Sequence, residues 1–105
     1  MLVVSRFVAA PDDLEEKART ALAVLAGRAG FVRGSLGRAA DDPSAWVLVT
    51  EWVGVGAWRR ALSSYDVKVH ASPLLALGRD EPSAFEVLVT TDGDGTRERG
   101  SDRAE

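Results

Sequence analysis

Seven residues, Trp46-Val47-Leu48-Val49-Thr50-Glu51-Trp52, constrain this chain more than any others. They lie between Asp41-Asp42-Pro43-Ser44, a turn by composition, and Gly54, which makes them too few for a self-standing helix and the right length for a strand. Side chains alternate along a strand, so Trp46, Leu48, Thr50 and Trp52 share one face while Val47, Val49 and Glu51 share the other. Both faces carry apolar groups. A sheet built around this strand must be covered on both sides.

The first strand repeats the pattern. Leu2 to Val8 sets Val3, Ser5 and Phe7 on one face and Leu2, Val4, Arg6 and Val8 on the other. Pro11-Asp12-Asp13-Leu14-Glu15 then opens a helix, with Asp12 as cap and Glu15 completing a capping box. Leu14, Ala18, Ala21, Leu22, Leu25 and Ala29 recur at helical spacing, and Gly30 is the expected left-handed terminator. Phe31 to Arg38 reads as a second strand in which Gly34 and Gly37 mark a bulge or the close approach of another backbone. After Trp52, Gly54 and Gly56 bracket a turn into a helix from Ala57 to about Ser63, with Val55, Trp58, Ala61, Leu62 and Tyr65 on one stripe. Asp66 to Ala71 is a further turn or short helix before Pro73, and Leu74, Leu75 and Leu77 dock this connection onto the core. Asp80 to Ser83 is a loop and Phe85 to Thr90 the last strand. From Thr91 onward the only apolar residue is Ala104, so burial cannot offset the entropy of ordering, and disorder is expected over residues 91–105.

Strand, helix, strand, strand, helix, strand is the ferredoxin-like βαββαβ order of an α+β fold with a four-stranded antiparallel sheet, here over residues 2–90. Two short helices cover one face of such a sheet. The other, also apolar, is expected to be buried against a second copy in a homodimer. At 105 residues there is room for one domain, and a net charge of -3 gives no footprint for nucleic acid. No apolar run approaches the length of a membrane span, so a cytoplasmic location is the default. With no cysteine and one histidine there is no metal-ligand cluster, and Gly54-Val55-Gly56 lacks the lysine or third glycine of a phosphate loop.

The segments WVLVTEW, SSYDVKVHASPLL and AGFVRGSLGR together resemble the antibiotic biosynthesis monooxygenase family of dimeric α+β barrels, over about residues 2–90. The resemblance implies one of two chemistries. The cofactor-independent branch oxidises anthrone or dihydroquinone rings and uses an asparagine and a tryptophan on the third strand and a tyrosine on the following helix; the matching positions here hold Leu48, Trp52 and Trp58. The haem-degrading branch uses an asparagine, a tryptophan and an iron-ligating histidine, matched by Ser5, Ala61 and His70, which makes haem the alternative ligand. The reaction implied by the first branch deprotonates a small phenol-like aromatic, passes an electron from its carbanion to dioxygen and loses water from the resulting peroxide, with neither metal nor organic cofactor. Such chemistry needs a dry aromatic pocket, a base and a donor for the developing oxyanion.

His70 is the one side chain whose ordinary pKa suits the base. Trp52 and Trp58 are expected to hold the ring, Tyr65 or Arg33 to donate, and Ser5 with Phe7 on the same strand face to complete the substrate lining. Each has a plainer reading: core packing for the tryptophans, a hydrogen-bonded structural role for His70, an anchor for Tyr65, and a cross-strand arginine partner for Glu51. The rival function is a non-catalytic barrel that carries a hydrophobic metabolite or haem.

Overall fold

A computed structural model of the chain describes residues 1–8 and 11–98. Its elements are β1 (Leu2–Phe7), α1 (Leu14–Ala26), β2 (Phe31–Arg38), β3 (Trp46–Trp52), α2 (Val55–Ser63), α3 (Tyr65–His70), α4 (Ser72–Leu75), β4 (Ala84–Phe85), β5 (Val89–Asp92) and β6 (Gly95–Glu98). The first four strands form one antiparallel sheet in the order β2-β3-β1-β4, the ferredoxin-like arrangement expected from the element order.

Register decides which side chains meet. Val3 lies opposite Thr50, Ser5 opposite Leu48 and Phe7 opposite Trp46, with Gly34, Leu36 and Arg38 of β2 continuing the same rows. This inner face takes the helices. Ala18 and Ala21 of α1 are fully buried, and such small side chains let the helix axis come close to the sheet. Gly34 extends that approach: a Cβ there would stand 2.5 Å from Leu22 Cδ1, so its missing side chain is the space the α1 leucine fills. The bulge lies earlier in β2, between Phe31 and Arg33.

The outer face carries Leu2, Val4, Val47 and Val49, all half-buried, with Phe85 opposite Leu2 and 45% exposed. Arg33 and Glu51 pair across β2 and β3 on this face at 3.1 Å, the cross-strand role anticipated for Glu51. At the β1 edge, Arg6 donates twice to Glu81, at 2.8 and 2.9 Å, and Arg79 donates to the same carboxylate. The Arg6 hydrogen bonds hold the Glu81 carboxyl below its ordinary range, which ties the loop before β4 to β1.

Several boundaries differ from the sequence expectation. The N-cap of α1 is Asp13, which makes no side-chain cap hydrogen bond and instead pairs with Lys17 at 3.2 Å. The helix closes on Gly27, while Gly30, three residues on, takes the left-handed conformation at the entry to β2. The connection after α2 is two further helices, with Ser64 capping α3 by accepting from the Val67 amide. The expected last strand divides: Ala84 and Phe85 pair with β1, whereas Val89 to Asp92 turns away to pair with Gly95 to Glu98.

That hairpin occupies residues expected to be disordered. Its order comes from local chemistry rather than burial, since all eight strand residues are exposed. Asp92 accepts from the Asp94 amide at 2.8 Å, Arg97 closes an ion pair on Asp92 at 2.8 Å, and the Thr91 and Thr96 hydroxyls bond across the strands at 2.7 Å. The rest of the expected tail, 99–105, lies outside the described residues. Among the described residues no helix is long and apolar enough to cross a membrane.

Candidate functional site

The alternation of β3 sends Trp52 inward, and the i, i+3 stripe of α2 sends Ala57, Trp58 and Ala61 to meet it. Trp52 and Trp58 lie with ring centroids 5.3 Å apart, and Phe31 meets Trp52 edge-on at 5.4 Å. The indole N–H of Trp52 donates to Thr50 Oγ1 at 2.9 Å, which satisfies the one polar atom the ring brings into the core. Trp52 is 1% exposed and Trp58 8%. Ser5 and Phe7 are buried on the same inner face.

The buried polar side chains of the described residues are Ser5 and Thr50, both hydroxyls. Neither accepts a proton at physiological pH. The inner face therefore holds aromatic surface and hydrogen-bonding hydroxyls, with no general base.

Among the described residues, clefts open elsewhere that neither Trp52 nor Trp58 lines. One of about 390 Å³ runs between α1 and the α3–α4 connection, lined by Asp13, Glu16, Lys17, Thr20, His70 and Leu74 among others. A second, of about 400 Å³, lies between α1 and β2 and ends on Trp46. A third, of about 260 Å³, sits at the sheet end beside Phe7, Arg38 and Trp46. Arg38 and Trp46 are the last paired residues of the β2–β3 hairpin, and the Arg38 guanidinium stands 5.4 Å from the Trp46 ring centroid. Among the described residues there is no group of three or more histidine, cysteine, aspartate or glutamate side chains that could hold a metal.

Comparison with known proteins places the chain. No family model matches it. Deoxynogalonate monooxygenase of Streptomyces nogalater is 38% identical over 73 residues, 70% of this chain, and the match spans 61% of that protein's length. An antibiotic biosynthesis monooxygenase of known structure is 16% identical, covers 77% of this chain and 90% of its own, and shares the fold with a TM-score of 0.60. The crystal structure of SnoaB, a cofactor-independent oxygenase from Streptomyces nogalater, is 33% identical, covers 83% of this chain and 94% of its own, and has a TM-score of 0.66. The chain belongs to the antibiotic biosynthesis monooxygenase family.

Of the expected site residues and those matched through the resemblance, the fold gathers Ser5, Phe7, Leu48, Trp52, Trp58 and Ala61 on or against one inner face. It places His70, Tyr65 and Arg33 elsewhere. His70 is exposed at the end of α3, in a groove with Asp13 and Glu16 that neither Trp52 nor Trp58 lines. The short helix α3 ends with His70 turned toward the first turns of α1, an outcome set by how the connection after α2 folds back. Tyr65 is 78% exposed, and Arg33 is on the outer sheet face with Glu51. Trp46 and Arg38 were not among the expected site residues. Their signal was present in the hairpin: counting outward from the Ala39 to Ala45 turn pairs a cation with an aromatic on the inner face.

Proposed function

We propose that this chain is a cofactor-independent oxygenase of small, electron-rich, ionisable aromatics of the anthrone or dihydroquinone type, working as a homodimer. The likeness to SnoaB, a cofactor-independent oxygenase 33% identical over 94% of its length, carries this reading. The balance of the reaction is simple: a ring CH₂ and dioxygen give a ring carbonyl and water. The substrate carbanion is the reductant, so no flavin, metal or haem is required. Trp52 and Trp58 supply the apolar aromatic wall, and the hydroxyls of Ser5 and Thr50 are the inner-face groups able to meet a substrate oxygen.

With no base among the buried side chains of the described residues, the ring reacts as the anion it forms by its own acidity. His70 then takes no part in proton transfer. Oxygen uptake by purified protein with an anthrone and a chelator, without added flavin or haem, is expected to saturate above the no-protein rate. His70→Ala is expected to keep that uptake within about twofold; a loss on the order of 10²-fold, the usual size of a general-base contribution, would return His70 to the chemistry. Absence of uptake across anthrones and dihydroquinones would favour the carrier function.

The outer sheet face supports the dimer. Leu2, Val4, Val47, Val49 and Phe85 form one apolar surface, with the helices on the opposite side of the sheet. Val49 sits between Val4 and Ser35 in the register, near its centre. Val49→Asp is expected to turn a dimer into a monomer in sedimentation velocity, because an unpaired carboxylate at a buried apolar interface is strongly disfavoured. A wild-type chain that sediments as a monomer would remove the dimer from the proposal.

A further inference from the structure

The cleft between α1 and β2 has a composition unlike the rest of the molecule. Its walls are Leu22 of α1 and Leu36 of β2, it ends on Trp46, and its charged groups are Glu15, Arg19 and Arg38. Glu15 and Arg19 neutralise one another at 3.1 Å. Arg38 has no carboxylate within ion-pairing distance among the described residues and stands instead over the Trp46 ring. One cation without a carboxylate partner among the described residues therefore lines this cleft, which shares Arg38 and Trp46 with the smaller cleft at the sheet end, in a chain of net charge -3. A guanidinium over an indole also keeps its in-plane N–H donors available, in the fork that matches a carboxylate or a phenolate oxygen.

We propose that this cleft binds a planar aromatic anion, with Trp46 and Leu36 against the ring and Arg38 as the counter-ion to its phenolate or carboxylate oxygen. A cation would be repelled by Arg38, and a purely apolar ligand would make no use of its N–H donors. The volume, about 400 Å³, is within the ordinary range for small-molecule sites. On β2 the cleft is lined by Gly34, Leu36 and Arg38 of the helix side and by Ser35, the register partner of Val49. It is separate from the Trp52–Trp58 cluster, which lines none of it. The inference concerns binding alone, so under anaerobic conditions it stands or falls independently of the oxygenase reading.

The probes are 2-naphthoate and its neutral counterpart 2-naphthamide, titrated into full-length protein and followed by the indole N–H resonances of the three tryptophans. Naphthoate is expected to shift the Trp46 indole signal saturably and to leave the Trp52 signal, whose N–H is held by Thr50, in place. Arg38→Gln, at an exposed position, is expected to weaken naphthoate by about tenfold, the value of one charge-assisted pairing, and to leave naphthamide within about twofold. Trp46→Leu, with Arg38 intact, is expected to weaken both probes. Naphthoate binding that is unchanged in Arg38→Gln, equal affinity of wild type for the two probes, or no shift at millimolar naphthoate would each overturn the assignment. Shifts confined to Trp52 and Trp58 would also overturn it, by placing the ligand in the inner cluster.

Discussion

Trp52→Ala is expected to cost about 3–5 kcal/mol of unfolding free energy, a large share of what holds a domain of this size together. The ring is 1% exposed and touches Phe31 on one side and Trp58 on another, so its removal leaves a void bounded by two further aromatics. It also strips Thr50 of the donor its hydroxyl now accepts. Trp52→Phe keeps an aromatic in place and loses the N–H, and is expected to cost about 1–2 kcal/mol. Urea midpoints of the three proteins decide the matter. A loss below about 1 kcal/mol for Trp52→Ala would mean that the inner cluster is loosely held, and that the tryptophan is a pocket wall before it is a core residue. The measurement bears on mechanism too: a ring this firmly packed meets substrate only if the helices above it give way, whereas Trp46 meets a ligand without any rearrangement.

Gly30→Ala is expected to destabilise by about 3 kcal/mol, from two causes of similar size. Gly30 has φ of +88°, a conformation an L side chain resists, and an added Cβ would stand 2.4 Å from the Cβ of Ala57 and 3.1 Å from Val53 Cγ2. Neither neighbour has a flexible end that can swing aside. The Gly30 carbonyl also accepts from the Val53 amide at 2.9 Å, so the backbone is anchored and cannot relax outward. Gly95 separates the two causes. Its φ is +134°, yet nothing lies within 4 Å of an added Cβ in the exposed hairpin. Gly95→Ala should cost about 1 kcal/mol, and global unfolding should register less than that because the hairpin opens locally. Equal effects at the two glycines would show that conformation, and not the close approach of α2 to β2, sets the requirement at Gly30.

The two glycines also illustrate what is legible without a structure. Gly30 was recognisable as a left-handed residue, but its place as a terminator was off by three, because α1 closes on Gly27 through ordinary right-handed turns. Gly34 was recognisable as a point of close approach, while its visitor, Leu22, was not. The hairpin at Asp92 to Gly95 was missed by a criterion of apolar burial alone. Its turn residues, paired threonines and cross-strand ion pair operate at a sequence separation of five or less.

The order of elements, the face each strand side chain takes, the helical stripes and the two-sided apolar character of the sheet were determined by the sequence itself, since periods of two and of about 3.6 are properties of neighbouring residues. Depth and company were decided only by tertiary structure. Trp46 and Trp52 share a strand face and are chemically alike, yet one ends an open cleft and the other is sealed beneath α2. That difference depends on where the helices lie over the sheet, which no local spacing encodes. His70 likewise follows a recognisable helical segment, and its side of the molecule is set by how the chain turns through Ser64 and Pro73 to lay α3 and α4 against α1. Alternation tells which way a side chain points; what it meets there is a property of segments far apart in the chain.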